Sequence, residues 1–211
     1  DECYSISRKF VTPACEKILK EVQKQKINVI RECAFCKGEQ DYRRIEAFKN
    51  AGYDVEVNII AVDRYESFLS CIERDVKLLE LGYEPRPVTK ENHDNMYEPF
   101  LDEVAELNKR CICDNVRVFT RGKNAGLPEL VYENGYTNYS CAQEAVRTER
   151  ANQRKRIIAD SSKFLQRITS ARGKIESFVK DENMRSDYLE RLKDLEDEYL
   201  KELSLSKDLE V

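Results

Sequence analysis

The segment Asp54 to Val62 (DVEVNIIAV) constrains the fold more than any other. It begins with apolar residues at every second position and ends in the unbroken run Ile59-Ile60-Ala61-Val62, the pattern of a core strand. Upstream, Ile45, Phe48 and Ala51 fall on one side of a helix predicted over 40–51, and Gly52 stands where such a helix stops. Earlier still, Ile27-Asn28-Val29-Ile30 is short and β-branched and precedes the polar turn Cys36-Lys37-Gly38-Glu39, which predicts a buried strand over 27–31. Strand, loop, helix, glycine and strand in that order make a βαβ unit. The expected fold class is therefore α/β, a parallel sheet with flanking helices and a right-handed crossover.

The neighbouring segments extend this plan. A helix over 13–25 starts at Thr12-Pro13 and carries Cys15, Ile18, Leu19 and Val22 at helical spacing. A helix over 64–81 turns Phe68, Leu69, Ile72, Val76 and Leu79 inward and closes at Gly82. The stretch 82–88, with Pro85 and Pro87, reads as a loop, followed by a helix over 90–110 and a strand over 115–120. A loop with two glycines then leads to a short strand at Leu130-Val131-Tyr132. The α/β part is expected to end near Ala145, giving one domain over 1–145 and a helical extension over 146–211. In that extension Ile157, Phe164, Ile168, Ala171, Ile175 and Phe178 fall at heptad spacing, with Ser161 as a polar interruption. Asp181-Glu182-Asn183 breaks the pattern before a second stripe, Tyr188, Leu192, Leu195, Tyr199 and Leu203. Two such helices form an antiparallel hairpin, whose narrow seam must pack on the body or on another chain.

Composition narrows the function classes. Lys and Arg number 36 against 40 Asp and Glu, a net charge of -4, so the basic footprint of generic nucleic-acid binding is missing. The 41% hydrophobic share supports a packed core. No apolar run reaches the roughly 18 residues that span a membrane. The start, Asp1-Glu2-Cys3-Tyr4, has neither a basic nor an apolar leader region, which predicts a cytoplasmic protein with free thiols. Of the eight cysteines only Cys33-x-x-Cys36 and Cys111-x-Cys113 are close pairs, and a zinc or redox module on Cys33 and Cys36 is a minor alternative. His93 is the single histidine, so a centre built on several histidines is excluded.

Parallel α/β architecture places functional residues in loops beyond the strand C-termini. Glu32 follows the strand predicted over 27–31 and could accept a hydrogen bond from a substrate hydroxyl. Arg74 lies on the helix over 64–81, one turn beyond the positions that fix its face. Arg86 sits between two prolines that stiffen its loop. Two arginines converging on one cleft suit phosphate, because the planar guanidinium bonds oxyanions in bidentate fashion.

These segments resemble a known family. Asn28-Val29-Ile30-Arg31-Glu32, then Ala47-Phe48-Lys49-Asn50-Ala51-Gly52-Tyr53-Asp54-Val55 and an apolar strand, is similar to the core of the zeta-toxin kinases. Ser67-Phe68-Leu69-Ser70-Cys71-Ile72-Glu73-Arg74 resembles that family's helix with an Arg before an aromatic. Arg86-Pro87-Val88-Thr89-Lys90-Glu91-Asn92-His93-Asp94 resembles its Arg followed by a Lys-Glu-x-His-Asp helix start. The resemblance covers roughly residues 8–145. It implies a P-loop kinase fold that uses ATP and magnesium to phosphorylate a UDP-linked N-acetyl amino sugar, and a small helical antitoxin as partner. It also implies that Glu32 contacts the sugar and that Arg74 and Arg86 engage the transferred phosphate. Lys90, His93 and Asp94 are expected to cap and brace their helix.

Three departures stand out. Glu32 is followed by Cys33-Ala34 where the family has Gly-Thr, so one expected substrate hydroxyl is missing, and Asp75 replaces the aromatic after the helix arginine. No G-x-x-x-x-G-K-[ST] occurs in the 211 residues; Arg121-Gly122-Lys123-Asn124 lacks the upstream glycine and the hydroxyl. The family's first strand, P-loop and catalytic aspartate would precede Asp1. Their absence predicts a sheet with uncovered edges and no phosphate transfer by these residues alone. The sequence is then an excerpt of a longer protein, or is complemented by a separate chain or a second copy, or is a degenerate relative. The leading expectation is a zeta-toxin-like kinase module; the competing one is a non-catalytic module that binds a partner, or dimerises, through its C-terminal helices.

Overall fold

The computed structural model describes residues 2–121, 127–134 and 139–208. In chain order these form α1 (Glu2–Gln25), α2 (Glu39–Asn50), β1 (Glu56–Ala61), α3 (Arg64–Glu80), α4 (Lys90–Tyr97) and α5 (Phe100–Arg110). Then follow β2 (Asn115–Arg121), β3 (Pro128–Glu133), α6 (Ala142–Ala159), α7 (Ser161–Phe178) and α8 (Glu182–Asp208). The two-glycine loop, including Gly122 and Lys123, lies outside the described residues.

The sheet is mixed. β1 and β2 run parallel, from Glu56 opposite Asn115 to Ala61 opposite Thr120, joined by the helical crossover α3–α5. β3 returns antiparallel to β2, with an irregularity between Val118 and Phe119. Among the described residues, one face carries the core. Ile59 and Ala61 of β1, Val116 and Val118 of β2, and Tyr132 of β3 meet Val104 and Leu107 of α5, Ala142, Ala145 and Val146 of α6, and Tyr42 of α2. The opposite face of β1 is open: Glu56, Asn58 and Ile60 are exposed, so the apolar run of this strand is not buried on both sides.

The strand expected over 27–31 does not form. Residues 27–36 have no regular structure, and Ile27, Val29 and Ile30 are exposed, Ile30 to 96%. A β-branched run has strand propensity, but a strand exists only through ladder bonds to a neighbour. Among the described residues it has none, and the βαβ crossover is made between β1 and β2 instead. Helix α1 starts earlier than its Pro13 suggests and carries that proline in its interior. Its C-terminal half is tied to the body by Glu16, which accepts from Arg44 at 2.7 Å, and by the Tyr53 hydroxyl, which donates to the Val22 carbonyl at 2.8 Å.

Two predicted helices are each interrupted. The one over 90–110 breaks at Glu98-Pro99, because a proline inside a helix removes a donor and clashes with the preceding turn. The C-terminal one breaks at Asp160, whose backbone leaves the helical region (φ -113, ψ 56) while its carboxylate caps α7 through the Lys163 N–H. Helices α7 and α8 then form a second core on α3. Phe164, Ile168, Ala171 and Ile175 face Tyr188, Leu192, Leu195 and Tyr199, and Phe68, Leu69, Ile72 and Val76 of α3 complete it. The seam is thus filled from within the chain. Val179, rather than the 41% exposed Phe178, closes its end. Each fully buried Leu or Ile here is worth roughly 1.5–3 kcal/mol.

Candidate functional site: an arginine pair braced by two helices

Helix α3 begins at Asp63, which is 2% exposed and accepts from the Tyr65 and Glu66 N–H groups at 2.9 and 3.4 Å. Its apolar stripe is buried against α7 and α8, which leaves Glu66, Ser70, Glu73 and Arg74 on its polar side. The helix ends in a Schellman motif: Gly82, at φ 79, donates to the Leu79 carbonyl at 3.0 Å and Tyr83 donates to the Leu78 carbonyl at 2.8 Å. That turn brings the proline-flanked segment back along α3. There the Arg74 Nη2 donates to the Arg86 carbonyl at 3.3 Å. Two residues twelve positions apart are thereby adjacent.

Arg74 is half exposed at its side chain and is anchored by the buried Asp75, whose Oδ1 accepts from Nε and Nη2 at 3.2 and 3.1 Å. Arg86 is exposed. Glu32, in contrast, lies in the exposed 27–36 segment and forms no hydrogen bond or ion pair among the described residues, with either arginine or elsewhere. The structure therefore brings together two of the three residues singled out in the sequence.

The Lys-Glu-x-His-Asp segment is a brace. The Thr89 hydroxyl caps α4 by accepting from the Asn92 N–H at 3.1 Å. His93 is 6% exposed, stacked on Tyr97 with ring centroids 5.5 Å apart, and both its ring nitrogens are engaged, 3.0 Å from Asp94 and 3.0 Å from the Ser67 hydroxyl. Arg64 forks onto Asp94 at 2.9 and 2.6 Å and reaches Glu198 of α8 at 2.9 Å; Lys90 pairs with Glu198 at 2.6 Å. Burial would raise the Asp94 carboxyl, but hydrogen bonds from Arg64 and His93 outweigh it and hold it below the usual carboxylate range.

The C-terminal ends of β1 and β2, where α/β proteins usually receive ligands, are plugged. Gln153 of α6 donates to the Ala61 carbonyl and the Thr120 hydroxyl, both at 2.7 Å, and accepts from the Asp63 N–H at 2.9 Å. Arg154 joins Asp63 to Glu202 at 2.6 Å each. Beside the plug a groove of about 460 Å³ is lined by Arg121, Arg156, Lys163, Arg167 and Glu66. Arg167 spans Glu66 and Glu73, at 2.6 and 2.7 Å, and so ties α7 to the polar side of α3. Seven described cysteines are free thiols, and burial raises those of Cys36, Cys71 and Cys113. Among the described residues no group of three or more His, Cys, Asp or Glu is placed to hold a metal ion. None of their helices is long and apolar enough to cross a membrane.

Asp75, Gln153 and Arg154 were not anticipated from the sequence. Asp75 carried one signal, a carboxylate where the resembling family has an aromatic. Gln153 and Arg154 lay in a charged helix with no local mark.

Comparison with known proteins bears on the fold and the family. A solved chain from the PezAT chromosomal toxin–antitoxin system of Streptococcus pneumoniae shares the fold, with a TM-score of 0.58 and 15% identity, over 82% of this chain and 64% of that one. The chain thus spans less than two thirds of that relative's length. No curated protein matches. The family model described as Zeta toxin matches residues 1–134, more than half of the sequence. The chain belongs to the zeta toxin family.

Proposed function

We propose that this chain is the phosphate- and acceptor-handling part of a zeta-toxin-type kinase, which transfers a phosphoryl group from ATP to a hydroxyl of a UDP-amino sugar or a similar metabolite. The observation that carries the reading is the Arg74–Arg86 juxtaposition. A half-exposed guanidinium, held on a rigid helix and next to a second arginine on a proline-stiffened loop, suits a group whose charge spreads over three equatorial oxygens in the transition state. In this reading Arg74 and Arg86 stabilise that charge, and Glu32 accepts a hydrogen bond from the acceptor sugar. ATP, when bound, supplies the phosphoryl group. The two arginines fit its phosphates, whereas the described residues offer no cluster of ligands for magnesium, so no step is derived through the metal. A small antitoxin is the expected partner, in the cytoplasm.

The competing reading, self-association through the C-terminal seam, has less support, because Ile168 and Leu192 are fully buried within the chain. Isothermal titration calorimetry with inorganic tripolyphosphate tests the phosphate reading. Arg74→Ala and Arg86→Ala should each weaken binding by about tenfold or more, the loss of one charge-assisted contact. Equal affinity in wild type and both variants, or no binding by the wild type, refutes it.

A further inference from the structure

Two residues of α8, three positions apart, reach the two arginines from behind. The Tyr188 hydroxyl donates to Asp75 Oδ2 at 3.2 Å, while Asp75 Oδ1 accepts both bonds from Arg74. Asp75 and Tyr188 are each 1% exposed, so this carboxylate is shared between one arginine and one phenol away from bulk solvent. Burial, then the adjacent Asp75 charge, pushes the Tyr188 hydroxyl up, so it stays protonated and donating at any physiological pH. Arg191, with a side chain 13% exposed, is held by Asp187 and donates to the Val88 carbonyl at 3.1 Å. Val88 is two residues beyond Arg86 and directly precedes the Thr89 cap of α4. The Arg74 bond to the Arg86 carbonyl closes the circuit. It runs from α8 through Tyr188, Asp75 and Arg74 to Arg86, and returns through Val88 and Arg191.

We propose that α8 is a positioning element for the phosphate-binding arginines, with Tyr188 orienting Arg74 through Asp75 and Arg191 fixing the loop that carries Arg86. The inference rests on the phosphate reading above and deepens it. A half-exposed arginine otherwise samples many rotamers, and ordering it on binding weakens affinity. The circuit orders it in advance. It also gives the C-terminal helices a part in the site itself. Asp75 suits this role where an aromatic would not, since only an acceptor can take bonds from both Arg74 and Tyr188.

The test uses the whole chain and two readouts. The Arg74 Nε–H signal in ¹⁵N NMR, assigned by its loss in Arg74→Lys, reports the tether without any ligand. Tripolyphosphate calorimetry reports its consequence. Tyr188→Phe, which keeps the ring, and Arg191→Lys, which is partly exposed and keeps the charge, should leave the chain folded by circular dichroism. Tyr188→Phe should convert the Arg74 signal from rigid to motionally averaged. Both variants should lower tripolyphosphate affinity by about two- to tenfold, the cost of immobilising one such side chain. In an Arg74→Ala background Tyr188→Phe should have no further effect, which a merely structural tyrosine would not reproduce. An Arg74 signal equally rigid in Tyr188→Phe, or a loss of affinity that persists without Arg74, overturns the proposal. If the wild type does not bind tripolyphosphate, the phosphate reading falls, and the Arg74 signal alone decides whether the tether exists.

Discussion

Removing the Gln153 amide is the sharpest test of how the sheet is joined to its helices. In Gln153→Leu the volume is roughly kept, but three bonds vanish together: to the Ala61 carbonyl, the Thr120 hydroxyl and the Asp63 N–H. All four residues are buried. A buried polar group left without a partner costs about 1–3 kcal/mol. The Thr120 hydroxyl can rotate, so it sits at the low end, whereas the two backbone groups cannot. The expected loss is about 3–5 kcal/mol, a large part of the roughly 5–15 kcal/mol that holds a domain together. With an m-value of about 2 kcal/mol/M, the urea midpoint should fall by roughly 1.5–2.5 M. Thr120→Val removes one of the three bonds and should cost about 1 kcal/mol. The double variant should cost less than the sum, because the shared bond can be lost only once. A Gln153→Leu cost below about 1 kcal/mol, or strict additivity with Thr120→Val, would mean that the plug is ornamental and the strand ends are satisfied otherwise.

Further outcomes follow from other parts of the molecule. Leu192→Ala empties a fully buried seam position and should cost about 3–5 kcal/mol, lowering the melting temperature by roughly 6–20 °C in a scanning calorimeter; a smaller drop would mean that the α7–α8 seam is loosely packed. Gly82→Ala has open space for its Cβ but must hold φ 79, so urea unfolding should show a loss of about 1–2 kcal/mol from backbone strain alone; no loss would remove the Schellman turn as the device that returns Arg86 to Arg74. Asp94 has a folded pKa below its unfolded value, so its contribution is present above about pH 4 and fades as the pH falls through the lower folded value. Asp94→Asn should therefore flatten the acid limb of the stability profile below about pH 4, and an unchanged limb would discount the Arg64–Asp94 fork.

What could be read in advance was local. The alternation in DVEVNIIAV, the spacing of Phe68, Leu69, Ile72 and Val76, and the Tyr188-to-Tyr199 stripe are periodic within one element, and each element formed. Ile27 to Ile30 misled because its residues prefer strands, whereas pairing depends on what lies beside them. Pro99 and Asp160 divide helices whose apolar periodicity runs on past the break, so the period alone could not mark it. Of the candidate site, the sequence singled out Arg74 and Arg86 by type and setting, and the structure makes them neighbours. Asp75, which links Arg74 to α8, was marked only as a carboxylate in place of an aromatic; its bond to a residue 113 positions away left no local sign. The family resemblance pointed to the two arginines as candidates; the long-range polar bonds around them belong to the folded chain and leave no local pattern.

The second core also has a consequence for how the protein is made. Phe68, Leu69, Ile72 and Val76 pack in one core with residues of α7 and α8, and the 113 positions from Asp75 to Tyr188 take about 6 to 23 s to synthesise at ordinary elongation rates. Until α7 and then α8 have been made, the apolar stripe of α3 lacks most of the cover it has in the finished fold. The nascent protein thus passes through a defined window of chaperone dependence, which closes when the last helix arrives. Ribosome-bound chains halted before α8 should engage holdase chaperones, and chains extended past Tyr199 should release them.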